Sequence, residues 1–141
     1  MKARVVWQED LTFEAELNDF RILIDADASV GGKNKGPRPK GLTLVSLAGC
    51  TGMDVISILK KMRVEVRSFE VETKAKLAEE HPKKFVEILT RYIFTGDNLP
   101  RDKVKKAVRL SEERYCGVSA TLKPSVRLST EIIVNGEKIA D

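Results

Sequence analysis

Apolar and polar positions change period several times along this chain. Residues 2–8 read as a strand. Over 11–17, Leu11, Phe13, Ala15 and Leu17 fall on one face, the period of a half-buried strand. Residues 20–25 make a third strand after Asn18-Asp19, and the tight connections predict an antiparallel meander. A loop rich in Gly and Pro follows, from about Ser29 to Lys40, and Pro39 suits the first turn of a helix. Residues 40–62 are apolar around most of the circumference, which predicts a long helix that is buried on every side. Alternation returns over 64–78 with a phase slip near Arg67-Ser68, where a bulge is expected. Residues 84–95 pair with it across His81-Pro82. Pro100 opens a second helix over about 101–115, and 125–134 form a last strand before the turn Asn135-Gly136. The order is βββ-α-ββ-α-β, an α+β fold rather than a wound parallel sheet.

Length and composition narrow this picture. The 141 residues predict a single domain, 1–141. With 42% hydrophobic and 33% charged residues, the chain can build a core and is too apolar for disorder. No apolar run reaches the roughly 18–20 residues that span a bilayer, and the first residues lack a signal peptide's pattern. A cytoplasmic protein without a membrane partner is therefore expected. The net charge of +4 comes from signs interspersed almost everywhere. The basic stretch over 33–40 reads as a solvated loop, so no nucleic-acid partner is expected. A 20-residue helix that is apolar all round needs more cover than one such chain supplies, which predicts a homodimer built around it.

Chemistry centres on two cysteines, Cys50 and Cys116. They are too few for a secreted disulfide scaffold. Metal ligation looks poor, because His81 is the sole histidine and there is no C-x-x-C. Cys50 lies mid-helix in Ala48-Gly49-Cys50-Thr51-Gly52. Interior glycines cost roughly 1 kcal/mol each relative to alanine, so either a neighbour approaches closely there or space is left beside the sulfur. Cys116 follows Tyr115 at a helix end, near a core edge. Tyr115 either packs into the core or closes over the site. Two such thiols can form a redox couple, in which one is oxidised to a sulfenic acid and the other condenses with it. That chemistry needs a thiolate and is helped by a cation. Asp54, one helical turn beyond Cys50, would oppose thiolate formation if close.

Two segments resemble the OsmC/Ohr family of thiol-dependent hydroperoxide reductases. One runs from Pro37-Arg38-Pro39-Lys40-Gly41-Leu42 through Ala48-Gly49-Cys50-Thr51-Gly52-Met53-Asp54. The other is Arg114-Tyr115-Cys116-Gly117-Val118-Ser119-Ala120. Their separation and the elements between them match as well. The resemblance implies an OsmC-like α+β fold, an intertwined homodimer around the buried cysteine-bearing helix, with sites at the subunit interface. It implies Cys50 as the peroxide-attacking cysteine and Cys116 as the resolving one, no metal or organic cofactor, and a dithiol reductant of lipoyl or thioredoxin-like type. It also implies an arginine beside the thiolate. Arg38 is nearest in sequence, and Arg21 is the alternative. Better-studied members carry a glutamate that orients this arginine, where the present chain has Gly41.

Two functions follow as expectations. The first is a peroxidase that reduces organic hydroperoxides or hydrogen peroxide through Cys50, Cys116 and Arg38. The second is a non-enzymatic dimer of the same fold that binds an apolar ligand at its interface. Close sulfurs with a guanidinium beside Cys50 favour the first, and splayed cysteines without a cation favour the second.

Overall fold

In a computed structural model, residues 1–140 are described. The chain divides into two compact units, Met1–Thr43 and Leu44–Asp141. The first is an antiparallel meander of β1 (Ala3–Glu9), β2 (Thr12–Leu17) and β3 (Phe20–Ile24), in that spatial order. Its second turn is made by Asn18 and Asp19, both at positive φ (52° and 66°). That is the two-residue hairpin geometry whose twist matches the flanking strands, and Asn and Asp tolerate it. Strand alternation holds, but the apolar face is not covered as expected. Leu11 and Leu17 are exposed, as are Trp7 and Phe20.

The loop that follows is tied to one carboxylate. Asp25 is buried and accepts from the Thr12 hydroxyl (2.8 Å) and from the backbone N–H groups of Ala26 (2.7 Å), Lys33 (3.3 Å) and Lys35 (3.1 Å). Burial pushes the carboxyl up, but the Lys35 and Ala26 N–H groups, the Thr12 hydroxyl and the Lys33 N–H outweigh it and hold it at about 2. A short 3-10 turn, Ala28–Val30, lies within the loop.

The helix α1 (Pro39–Lys61) starts at the expected proline. Its buried residues are Leu47, Thr51, Val55 and Leu59, one stripe at i+4 spacing. The expectation of burial on every side is corrected here: Val45 is 65% and Met53 76% exposed, because one chain supplies cover for a single face. The expectation about membrane spans is corrected as well. By length and composition α1 suffices to cross a bilayer, with a mean hydropathy of 1.8 over an 18-residue window. Sparse charges interrupt its apolar run without lowering the average enough. Its buried stripe packs as a core helix does, through Val55 and Leu59.

The second unit carries a four-stranded sheet in the order β4-β5-β6-β7, from β4 (Ser68–Leu77), β5 (Phe85–Thr95), β6 (Arg127–Val134) and β7 (Glu137–Ile139). β4 and β5 form the long hairpin that the alternation predicts. Its register irregularity falls at Lys76/Leu77 instead of Arg67-Ser68, since residues 64–67 precede the strand. β5 and β6 are parallel, so the chain must cross over between them. The crossover is α2 (Arg101–Leu110), a π-helical turn Ser111–Tyr115 and α3 (Gly117–Leu122). The helix expected over about 101–115 is α2 continued by the π turn to Tyr115, and α3 is a further short helix that the sequence reading did not assign. The core lies between sheet and helices, with Val55, Leu59, Tyr92, Phe94, Val104 and Val108 all 2% exposed or less.

Candidate redox site

The π turn determines where the second cysteine sits. The Cys116 N–H reaches back five residues to the Ser111 carbonyl (2.8 Å), a wider turn than an α-helix makes. Cys116 then leaves helical geometry (ψ 102°) and becomes the N-cap of α3, where its sulfur accepts from the Ser119 N–H at 3.3 Å. It is buried among Leu47, Ile88 and Val126, with Cys50 packed against the same cluster. Cys50 comes from the middle of α1 and is half-buried. Sγ of Cys50, Sγ of Cys116 and a carboxylate oxygen of Asp54 all lie within 4.8 Å of one another. Both thiols are free.

Electrostatics at Cys50 do not favour a resting thiolate. Burial pushes the thiol up, the hydrogen bond with Cys116 pushes the same way, the Val118 N–H pulls it down, and electrostatic coupling to Cys116 and Asp54 adds to the upward push. The net direction is upward, and none of these groups is a cation. Two sulfurs and one carboxylate oxygen fall short of the four ligands of a structural zinc site, and we assign no metal there.

Arg38 belongs to the first unit. Its guanidinium donates to the Asn34 side chain (2.8 Å), the Gly36 carbonyl (3.0 Å) and the Asp27 carboxylate (3.1 Å). Arg21 pairs with Glu14 and Glu16 on the meander. Gly41 has no atom within 4 Å of where a Cβ would stand, and neither does Gly49. A Cβ at Gly52 would touch Val71 at 3.4 Å. Tyr115 does not pack in the core. It is 59% exposed and lines a cleft of about 360 Å³ together with Asp54, Ser57, Ile58, Lys61 and Leu110.

A polar network behind the cysteines was not expected from the sequence. Thr51 Oγ1 lies 2.7 Å from Tyr92 OH and 2.8 Å from Ser111 Oγ. Ser111 Oγ is 3.0 Å from Asp54 Oδ2, and Tyr92 OH is 3.0 Å from Glu112 Oε1. Thr51, Tyr92 and Ser111 are each at most 1% exposed. Burial drives the Tyr92 hydroxyl far above its ordinary pKa, and the Glu112 charge adds to this, so the phenol stays protonated. The signal was present in α1: Thr51 is the one hydroxyl on the stripe Leu47-Thr51-Val55-Leu59. Tyr92 likewise shares the inward phase of β5 with Ile88, Thr90 and Phe94.

This α+β fold, with a cysteine from a long helix meeting a second cysteine at a crossover, defines a class of thiol-bearing proteins. The chain belongs to the OsmC-like protein family, whose model matches residues 32–131. It is 38% identical to Protein YhfA of Escherichia coli strain K12 over 130 residues, 92% of this chain and 94% of that protein. Among solved structures, a hypothetical protein from Aquifex aeolicus VF5 is 33% identical, with a TM-score of 0.80 over 95% of this chain and 96% of the other. An organic hydroperoxide resistance protein, OsmC, from Legionella pneumophila has a TM-score of 0.72 over 94% and 96% of the two chains. At 15% identity it shares the fold.

Proposed function

We propose that this protein is a cysteine-based peroxidase that reduces organic hydroperoxides or hydrogen peroxide. One observation carries the reading: two free thiols from distant parts of the chain meet, with Asp54, within 4.8 Å. Cys50 sulfur attacks the peroxide's terminal oxygen, an S–O bond forms and the O–O bond breaks. The sulfur is oxidised by two electrons to a sulfenic acid, and the peroxide leaves as an alcohol or water. Cys116 then attacks the sulfenic sulfur, a disulfide forms and water departs. An external dithiol of lipoyl or thioredoxin-like type restores both thiols by exchange. Family membership supports this reading, as does the name of the Legionella structure. The curated relative's name, Protein YhfA, states no activity.

In this proposal the working form is a homodimer, with Arg38 as the cation that assists Cys50. The exposed Val45 and Met53 on α1 support a partner subunit's seat there. The test is consumption of cumene hydroperoxide by the reduced protein with excess dithiol. Cys50→Ser is expected to abolish turnover. Cys116→Ser is expected to stop it after one event, with a sulfenic acid on Cys50 in place of the disulfide seen in oxidised wild type. Unmodified thiols in peroxide-treated wild type would overturn the reading.

A further inference from the structure

The network behind the cysteines is short of hydrogen. Five groups lie in a row: Glu112, Tyr92, Thr51, Ser111 and Asp54. They make four oxygen–oxygen contacts of 2.7–3.0 Å. Each contact needs one hydrogen between its oxygens. Three hydroxyls supply three hydrogens, and ionised carboxylates supply none. However the hydroxyls rotate, one contact then has no hydrogen and two lone pairs face each other in the core. Turning the Ser111 hydroxyl to the Thr51 carbonyl, 3.5 Å away, takes its hydrogen out of the row and leaves two contacts without one. No buried side-chain N or O among the described residues lacks a partner, so the packing is otherwise satisfied. One added proton completes the row in two ways. On Asp54, every hydroxyl points toward Glu112. On Glu112, every hydroxyl points toward Asp54. A shift of each hydrogen by one bond interconverts the two.

We propose that Asp54 is the acid–base group of the Cys50 reaction, and that it exchanges its proton through the Ser111–Thr51–Tyr92–Glu112 relay, which holds one proton beyond its hydroxyl hydrogens. The proposal rests on the peroxidase reading. With the relay proton at Glu112, Asp54 is ionised and takes the proton of the Cys50 thiol as the sulfur attacks. The alkoxide that leaves takes a proton from Asp54, so the sum is thiol plus hydroperoxide giving sulfenic acid plus alcohol. The far end reaches solvent, because Glu112 lines a cavity of about 490 Å³ with Lys105, Arg109 and Glu113. Thr130 also donates to Glu112 Oε1 (2.5 Å). Lys61 and Tyr115 are the titratable groups that share Asp54's cleft. Asp54 is the catalytic residue here; Ser111, Thr51, Tyr92 and Glu112 are positioning residues.

Two roles for Asp54 give opposite signs, and the test uses this. Asp54→Asn keeps the packing, and its amide N–H supplies the hydrogen that the row lacks. If Asp54 were only a nearby negative charge, its loss would lower the Cys50 pKa, and peroxide would react faster at neutral pH. If it is the base, the rate constant for peroxide with reduced protein falls about 100-fold. The second readout needs no turnover. Wild type at neutral pH is expected to show the infrared carbonyl stretch of one protonated carboxyl group, lost in Asp54→Asn and in Glu112→Gln alike. Wild type that reacts while Asp54→Asn reacts as fast or faster overturns the relay and leaves the two-cysteine reading standing. Absence of the infrared band overturns the added proton. Wild-type thiols that ignore peroxide overturn both proposals.

Discussion

Asp25 and Asp54 sit in polar networks that differ in their supply of donors. Asp25 receives four donors, three of them backbone N–H groups of the loop. The arrangement has one solution, with the carboxylate ionised, and it pins the segment leading to Pro39. The row that ends at Asp54 has four contacts and three hydroxyl hydrogens, and so two solutions of similar geometry. Donor excess fixes a backbone. Donor deficit leaves a proton free to move. Both networks are fully partnered, so satisfaction alone does not separate a structural polar cluster from one equipped for chemistry.

The largest expected effect is at the donor-rich end. Asp25→Ala strands a hydroxyl and three N–H groups around an empty site, and the melting temperature should fall by about 5–10 °C in thermal unfolding. A change within error would break the comparison, since Asp25 would then be dispensable. The donor-poor end should behave in the opposite way. Thr51→Val removes the middle hydroxyl and leaves two contacts with two hydrogens, so the deficit vanishes. Its melting temperature should stay within about 2–4 °C of wild type, while peroxide turnover falls roughly tenfold. A large loss of stability with turnover unchanged would make the row a structural cluster like the first.

The smallest effect is a titration. Asp25's folded pKa of about 2 lies below its ordinary value of 3.8. Its contribution to stability is complete above the ordinary value and is lost as pH falls through about 2. The carboxyl carbon's NMR shift should therefore titrate near 2 in the folded protein, and Asp25→Asn should flatten the stability profile in that window. A midpoint near 4 would mean that the four donors do not hold the carboxylate.

The regular elements were legible because they are periodic. β1–β5 and α1 follow alternation or apolar continuity, and Pro39 and Pro100 mark the helix starts. The crossover was not legible, because its breaks leave no compositional mark. Residues 101–115 look like one helix, and cysteine is not a residue that sequence patterns mark as a helix cap. The cysteine pair was readable through two motifs. The row behind it was not, since Thr51, Tyr92 and Ser111 are 19 or more positions apart and each alone is an ordinary polar residue. Three-dimensional proximity makes them a chain, and the lone hydroxyl on α1's buried stripe was the only local hint.

The π turn at Ser111–Tyr115 has a consequence for how the chain tolerates changes of length. A turn closed over five residues holds one residue more than an α-helical turn. Remove any one of them and the five-residue closure from the Cys116 N–H to the Ser111 carbonyl becomes a four-residue one, so the wide turn that presents Cys116 is lost. Cys116 would then face a different part of the core while every side chain named in its chemistry survived. Selection here therefore acts on a count as well as on identities. A relative with both cysteines and a one-residue gap in this stretch would be a lineage that had left the chemistry without losing its emblem.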